Sequence, residues 1–483
     1  MGFGNLAMER NEVAIIGAGA SGVSAANLLS GRGYRVTVFD QKKDTLPEGV
    51  TATIRKVEDP ASMGEAIAAL KPEFLVVSPG VPPHSKALEA PGAQGVEIIG
   101  EVELAWRLGR QEDWLCVTGT NGKTTTVEML ASILRAWGED VVASGNVGFP
   151  LTEPKSMSAK ILPVELSSAQ LATTTTLAPT SSICLNVDVD HVDWHGSKEA
   201  YWAAKASVYD NTRVARIYYA DDPQMRTWAE HAANPGSSVL LPLSFGEVGE
   251  GGIGIRDGYL IDRFTPSLAK PDAEPAAVDL RDVELLSAGL ATNHGADSVL
   301  VRDALAAAAL AISVGAPLQA VRQGLSDFNP QEHRLSPAGV AQGRTFVDDS
   351  KATNVHAALA ALSSFDKSRL IWIVGGDTKG QDLGPLIREV GSQVKGVVVI
   401  GSDPRDLLET LANRAPDTPV QRVVGVGRPE DWMGEVVRAS MEMSAPGDTV
   451  LLAPACASWD QFASYAQRGD LFTQEVKSWG SDR

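Results

Sequence analysis

Residues Val117 to Thr126 read VTGTNGKTTT. Before them Trp114, Leu115, Cys116 and Val117 form a short apolar run of buried-strand type, and after them Val127, Met129, Leu130, Ile133 and Leu134 recur at helical spacing. A strand, a glycine-rich turn (Gly119, Thr120, Asn121, Gly122), a Lys-Thr pair and a helix are the parts of a phosphate-binding loop. The glycines let backbone N–H groups close around phosphate oxygens, and the helix N-terminus adds its positive dipole end. In that role Lys123 reaches the β- and γ-phosphates and the Thr124 hydroxyl, with Thr125 beside it, faces Mg²⁺. The first glycine of the usual GxxxxGK(S/T) string is Val117 here, so an ordinary glycine turn is the alternative reading.

The 483 residues are too many for one core, and several domains are expected. Hydrophobic residues at 44% and charged residues at 21% are those of an ordinary globular chain. A formal net charge of −18 argues against nucleic acid or an anionic membrane surface as the main partner. The three cysteines, Cys116, Cys184 and Cys456, are far apart, so disulfides and structural zinc are not expected and a reducing cytoplasm fits. No signal-peptide core, myristoylation signal or run of 18 apolar residues occurs, which predicts a cytoplasmic protein without membrane insertion.

The segment before the phosphate loop opens with Val13–Ile16, a Gly17-Ala18-Gly19-Ala20-Ser21-Gly22 turn, a helix, and a second strand ending at Asp40. A βαβ unit with GxGxxG and an acidic residue about twenty positions on is a nucleotide-cradling pattern. Strands are also expected at Phe74–Val77, before Ser78-Pro79-Gly80, and at Val96–Ile99. In the central segment strands are expected at Ile161–Val164, Ser182–Leu185 and Val239–Pro242, loops or hairpins at Gly246–Asp257, and a helix at Val301–Val314. The last segment has expected strands at Thr345–Val347, Leu370–Val374, Val397–Ile400 and Thr449–Leu452. The predicted fold class is α/β: three consecutive α/β domains, Rossmann-like at 1–110, a P-loop ATPase at 111–330, and Rossmann-like again at 331–483.

Several polar clusters stand at strand ends, where open α/β sheets bind ligands. Glu165 could hold Mg²⁺ or equally be a capping or solvated residue. His191, in NVDVDHVD, suggests a second cation, although a structural loop histidine is the commoner case. Lys205 reads on its own as a snorkelling surface lysine. Arg334 has the geometry for a bidentate phosphate contact, and Asp348 to Asn354 (DDSKATN) and Gly376 to Lys379 have the composition of sites.

Taken in order, GTNGKTTT, GNVG (Gly145 to Gly148), ELSSAQL (Glu165 to Leu171), DH (Asp190, His191), HR (His333, Arg334), DDSKATN and ACASWDQF (Ala455 to Phe462) resemble the Mur ligase family over nearly the whole chain. DSKATN and the ASxDQF string point to its D-glutamate-adding branch. The resemblance implies an ATP-dependent ligase that activates the carboxylate of UDP-N-acetylmuramoyl-L-alanine as an acyl phosphate and couples it to D-glutamate, in peptidoglycan precursor synthesis. A monomer working with ATP and Mg²⁺ at two sites is expected from it.

By motif, the resemblance assigns Gly119 to Thr125 to the ATP phosphates. Thr124, Glu165 and His191 then hold metal, together with Lys205, the lysine this family carbamylates. Asn146 touches the reacting groups. Arg334, Asp349 and Lys351 hold ATP, while His191, Thr353, Lys379, Ser458 and Tyr465 read D-glutamate. Ala20, Ser21, Asp40, Gln41, Lys42, Ser78 and Gly80 cradle the uridine diphosphate. The chain departs from the family where a His-Asn pair often stands near the adenine, reading Val299 to Asp303 instead; it also has Tyr465 where Phe occurs and Ala169 where an aromatic residue is common. A nicotinamide dehydrogenase would explain only the first βαβ unit. A motor or regulatory ATPase would leave the flanking domains without purpose, and a folylpolyglutamate synthase would lack the first domain.

Overall fold

The computed structural model describes residues 12–109, 113–188, 192–265, 274–283, 286, 298–329, 333–363, 365–423 and 428–481. The chain forms two compact units, one holding the residues before 296 together with Leu300–Phe328, the other holding Ala296–Val299 and the residues from Asn329 onward. Three sheets stand where three α/β domains were expected, two of them in the first unit. The expected boundaries at 110 and 330 fall on residues outside those described.

The first sheet contains β1 (Glu12–Ile16), β2 (Arg35–Asp40), β3 (Thr53–Lys56), β4 (Phe74–Val77) and β5 (Glu97–Gly100), in the order β3-β2-β1-β4-β5. Every pairing is parallel. β4 is buried at all four residues, as an apolar run covered on both faces should be. β3, which the sequence reading passed over, is the exposed edge strand Thr-Ile-Arg-Lys.

The second sheet follows the order β14-β13-β12-β11-β10-β9-β6-β8-β7. Its strands are β6 (Asp113–Thr118), β7 (Ser144–Gly145), β8 (Ile161–Glu165), β9 (Ser181–Cys184), β10 (Ala215–Tyr219), β11 (Val239–Phe245), β12 (Ile253–Arg256), β13 (Tyr259–Asp262) and β14 (Ala276–Asp279). It is parallel from β7 to β12, and β13 and β14 add an antiparallel margin. The stretch expected as loops or hairpins, 246–257, holds β12, but its antiparallel partner β13 and the next strand β14 lie beyond it, where no strand was expected. The helix Val299–Ser313 is buried on all sides through its alanine run, which marks an internal helix. Gly324 lets helix Leu318–Asp327 close on helix Lys123–Ala136, because a Cβ there would lie 2.3 Å from the Ile133 Cα.

Helix Glu101–Leu108 explains why the first two sheets share one unit. Leu104 packs in the core of the first sheet, whereas Val102, Ala105 and Trp106 pack with Trp114, Cys116 and Leu151 beside the second. Its two buried carboxylates fasten the join. Glu101 Oε1 accepts from the Thr152 N–H at 2.7 Å and lies 2.9 Å from Thr152 Oγ1. Glu103 accepts from the N–H groups of Thr175 and Thr176 at 2.8 and 3.0 Å and from Arg107 Nε at 2.7 Å. Burial raises the Glu101 carboxyl to about 7 against the pull of Thr152, whereas at Glu103 the same burial is outweighed by the threonines and Arg107 and the carboxyl is lowered.

The second unit carries the third sheet: β15 (Ser336–Ala341), β16 (Arg344–Asp348), β17 (Leu370–Gly375), β18 (Gly396–Ile400), β19 (Val420–Arg422) and β20 (Thr449–Leu452), in the order β15-β16-β20-β17-β18-β19. Only the β15–β16 pair is antiparallel. All three cysteines are buried and free of disulfides. Burial raises each thiol, Cys184 and Cys456 to about 12. Among the described residues no helix is long and apolar enough to cross a membrane.

Candidate active site

In the first unit the phosphate loop lies between β6 and helix Lys123–Ala136. Gly119 and Gly122 take φ of +150° and +83°, and a Cβ on Gly122 would sit 2.4 Å from Asp303 Oδ1. Asn186, which the sequence reading did not single out, moulds the loop. Its Oδ1 accepts from the N–H groups of Thr120 and Asn121 at 3.1 and 3.0 Å, and its amide donates to Asn121 O at 3.2 Å. Thr124 and Thr125 are buried in the first turn of the helix.

Two ammonium groups share one acceptor. Lys123 Nζ donates to Gly119 O at 2.8 Å and to Thr120 O at 2.9 Å, and Lys205 Nζ donates to Gly119 O at 2.6 Å. Lys205 is only 2% exposed, which corrects the surface-lysine reading. It sits on helix Lys198–Ala206, whose Tyr201 hydroxyl lies 3.0 Å from Thr120 Oγ1.

Glu165 ends β8, where Gly145 and Asn146 from the neighbouring β7 segment press against it. A Cβ on Gly145 would meet Glu165 O at 2.2 Å, and Asn146 donates its side-chain amide to Glu165 Oε1 at 2.8 Å. The other oxygen, Oε2, is buried without a hydrogen-bond partner among the described residues. A buried carboxylate oxygen left unmatched is unfavourable unless a cation completes it, so this donor set fits a hard divalent metal. No group of three His, Cys, Asp or Glu gathers among the described residues, here or elsewhere. His191 lies outside the described residues.

A cavity of about 350 Å³ brings Gly80 from the first sheet together with Gly119, Thr120, Lys123, Asn146 and Lys205. Its wall adds Ser168, Trp194, His195 and Tyr201, none of them proposed from sequence. His195 Nε2 lies 3.0 Å from Ser168 Oγ, and its ring meets Trp194 edge-on with centroids 4.5 Å apart. A second cavity of about 190 Å³ is lined by Gly17, Asp40, Gln41, Lys42 and Gly80. Burial would raise the Asp40 carboxyl, yet N–H donation from Ala18, Lys43 and Lys42 holds it below the ordinary carboxylate value. Ala20 and Ser21 open the helix that follows this turn. Ser78 Oγ is buried without a hydrogen-bond partner among the described residues, directly against the glycines of the turn.

The second unit holds the remaining candidates. His333 Nδ1 lies 2.6 Å from Asp348 Oδ2, and Gly469 makes room for this pair, since a Cβ there would meet His333 Nδ1 at 2.1 Å. Asp349 is buried and its Oδ1 accepts from the Leu335 N–H at 3.1 Å. Burial raises its carboxyl to about 8 despite Arg334, Leu335 and Lys351. Lys351 Nζ stands 5.8 Å from the Tyr465 ring centre. The Thr353 N–H donates to Lys351 O at 2.8 Å.

Asp377 and Ala457 exchange backbone hydrogen bonds of 3.0 and 2.8 Å, which ties the segment bearing Lys379 to the segment bearing Ser458. Gly376 permits the approach: with φ of +130°, a Cβ on it would lie 2.3 Å from Ala457 O. Lys379 Nζ stands 5.8 Å from the ring centre of Trp459, which is 74% exposed. The Ser458 hydroxyl is buried without a partner among the described residues. At Val299 to Asp303, Arg302 pairs with Asp221 at 2.9 Å and covers the Tyr219 ring at 4.1 Å.

Three family models match: "Mur ligase MurD-like, N-terminal domain" at residues 11–100, "Mur ligase middle domain" at 117–249, and "Mur ligase, glutamate ligase domain" at 333–456. A protein of Thermobifida fusca named UDP-N-acetylmuramoylalanine--D-glutamate ligase is 40% identical over 473 residues, covering 96% of this chain and 98% of that one. A protein of the same name from Streptomyces avermitilis is 38% identical, covering 97% and 98%. Among solved structures, a pseudomurein peptide ligase type C from Methanothermus fervidus aligns with a TM-score of 0.55 at 17% identity, over 97% of this chain and 99% of that one, a likeness of fold.

Proposed function

The chain belongs to the Mur ligase family, and from that premise we propose that it joins D-glutamate to UDP-N-acetylmuramoyl-L-alanine with cleavage of ATP, in the synthesis of peptidoglycan precursors. The observation that carries this reading is the cavity running from Gly80 to Lys123, Asn146 and Lys205. It lets a nucleotide-linked substrate cradled by Asp40, Gln41, Lys42, Ala20, Ser21 and Ser78 present its far carboxylate to a phosphate bound at Gly119 to Thr125.

The substrate carboxylate attacks the γ-phosphorus of ATP and ADP departs, leaving an acyl phosphate. The D-glutamate amine then adds to the acyl carbon, the tetrahedral intermediate expels phosphate, and the nitrogen loses its proton. A carboxylate is a poor acylating group at neutral pH, whereas its mixed anhydride with phosphate is reactive. The chain's own contribution is positioning and charge neutralisation. Lys123 swings from its loop carbonyls to the γ-phosphate, and Asn146 orients the reacting carboxylate. Arg334, Asp349 and Lys351 hold ATP; Thr353, Lys379, Ser458 and Tyr465 receive D-glutamate. Thr124 and Glu165, and at a second site His191 and Lys205, would hold magnesium, which when bound would neutralise phosphate charge.

Carbamylation of Lys205 fits the crowding at Gly119 O. It turns one of two neighbouring ammoniums into an anion able to ligate a cation. The domains divide near 110 and 330, the working form is a monomer, and the compartment is the cytoplasm. The test is phosphate release from Mg·ATP and UDP-N-acetylmuramoyl-L-alanine across D-Glu, L-Glu, L-Ala, L-Lys and meso-diaminopimelate. Release that requires D-Glu is expected; release with another amino acid overturns the acceptor assignment.

A further inference from the structure

Arg468 is among the largest fully buried side chains, 1% exposed. A guanidinium taken out of water ordinarily finds a carboxylate, because an unmatched buried charge is strongly destabilising. Arg468 makes no ion pair among the described residues. It spends its donors on neutral oxygens instead. Nε donates to Ser350 Oγ at 2.8 Å, and one terminal nitrogen donates to Ser350 O at 2.8 Å and to Cys456 O at 3.2 Å. Ser350 Oγ passes the contact on, donating to Tyr465 O at 2.8 Å. One side chain therefore fixes three backbone segments. The first lies between Asp349 and Lys351, the second two residues before Ser458, and the third at Tyr465.

We infer that Arg468 is the positioning residue of the acceptor site: it locks these three segments into one floor for an acidic amino-acid substrate, with a guanidinium beneath it whose donors go to neutral oxygens. The inference rests on the reading of D-glutamate as acceptor. Two further observations support it. The Ser458 hydroxyl and Asp460 Oδ1 are buried with no partner among the described residues, so the floor holds polar atoms that these residues do not satisfy. Burial brings the Arg468 guanidinium down to about 10, against the opposing fields of Cys456, Asp460 and Asp348, and it stays protonated at neutral pH.

Arg468→Met keeps the length of the side chain and removes both charge and donors; Arg468→Lys keeps the charge; Ser350→Ala removes one acceptor. In the full-length chain, with phosphate release as readout, Arg468→Met is expected to raise KM for D-Glu and for ATP together by about tenfold, one lost charge-assisted contact. KM for UDP-N-acetylmuramoyl-L-alanine should stay within about twofold, since its cradle lies in the other unit. Arg468→Lys should recover part of the D-Glu effect, and Ser350→Ala should reproduce a smaller form of it. Unchanged KM for D-Glu in folded Arg468→Met overturns the inference, as does an equal rise for all three substrates. If Arg468→Met does not fold, unchanged D-Glu and ATP constants in both Arg468→Lys and Ser350→Ala overturn it. A wild-type enzyme indifferent to D-Glu would instead defeat the acceptor assignment, before any variant is compared.

Discussion

Glu101→Gln isolates the join between the first two sheets. The Glu101 carboxyl is raised to about 7 by burial, from an ordinary 4.5. The folded chain thus keeps this proton up to neutral pH, whereas the unfolded chain releases it near 4.5. Between those values the unfolded state binds fewer protons, so stability falls as pH rises through the window. A displacement of about 2.5 units at 1.36 kcal/mol each amounts to about 3 kcal/mol lost between pH 4.5 and pH 8. Glutamine can still accept from Thr152 and never ionises. Its unfolding free energy, set beside that of the wild type, should therefore improve by about 2.5 kcal/mol from pH 5 to pH 8, all other groups cancelling. Urea unfolding at several pH values checks this, followed through the tryptophan pair Trp106–Trp114, whose ring centres are 5.3 Å apart beside the join. Parallel pH profiles for the two proteins would refute the reasoning. Glu103→Gln is the control: that carboxyl is lowered, so its loss should weaken the protein at neutral pH.

Lys123→Ala should reduce turnover by at least about a thousandfold, as removal of a phosphate-clamping charge does; near-normal phosphate release would remove the phosphate-loop assignment. Lys205→Ala should be nearly inactive and regain activity with added short carboxylates, and wild-type rates without rescue would sink the carbamate. Trp459→Ala strips Lys379 of its aromatic neighbour and should raise KM for D-Glu about two- to fivefold, the effect of an exposed cation–π contact, while Trp459→Phe should restore it.

The sequence displays those parts of the fold that are continuous in it. Apolar runs such as Phe74–Val77 and Leu370–Gly375 are strands because both faces are covered. β10, Ala215–Tyr219, escaped because Arg216 interrupts its apolar run; only in the fold does that guanidinium reach Ala229 O and Ser238 O, at 2.6 and 3.0 Å. β3 and β19 escaped because edge strands carry polar residues. In the site, the loop glycines and Lys123 are legible since their chemistry depends on local spacing. Asn186, His195 and Arg468 are not, because each acts on a segment tens of residues away: 65 between Asn186 and Asn121, 118 between Arg468 and Ser350. No periodicity in one sequence encodes such meetings. Lys205 looked superficial for the same reason, since the carbonyl that buries it lies 86 residues earlier.

The three buried thiols make the molecule a convenient host for spectroscopy. With Cys184 and Cys456 ionising only near pH 12 and Cys116 shielded at 0% exposure, maleimide dyes have no thiolate to attack in the folded chain at neutral pH. Cysteines introduced together at exposed Val340 in one unit and exposed Glu48 in the other would be the labelled sites. Distance measurements between the two during turnover could then be made on the natural sequence, without first stripping it of cysteine.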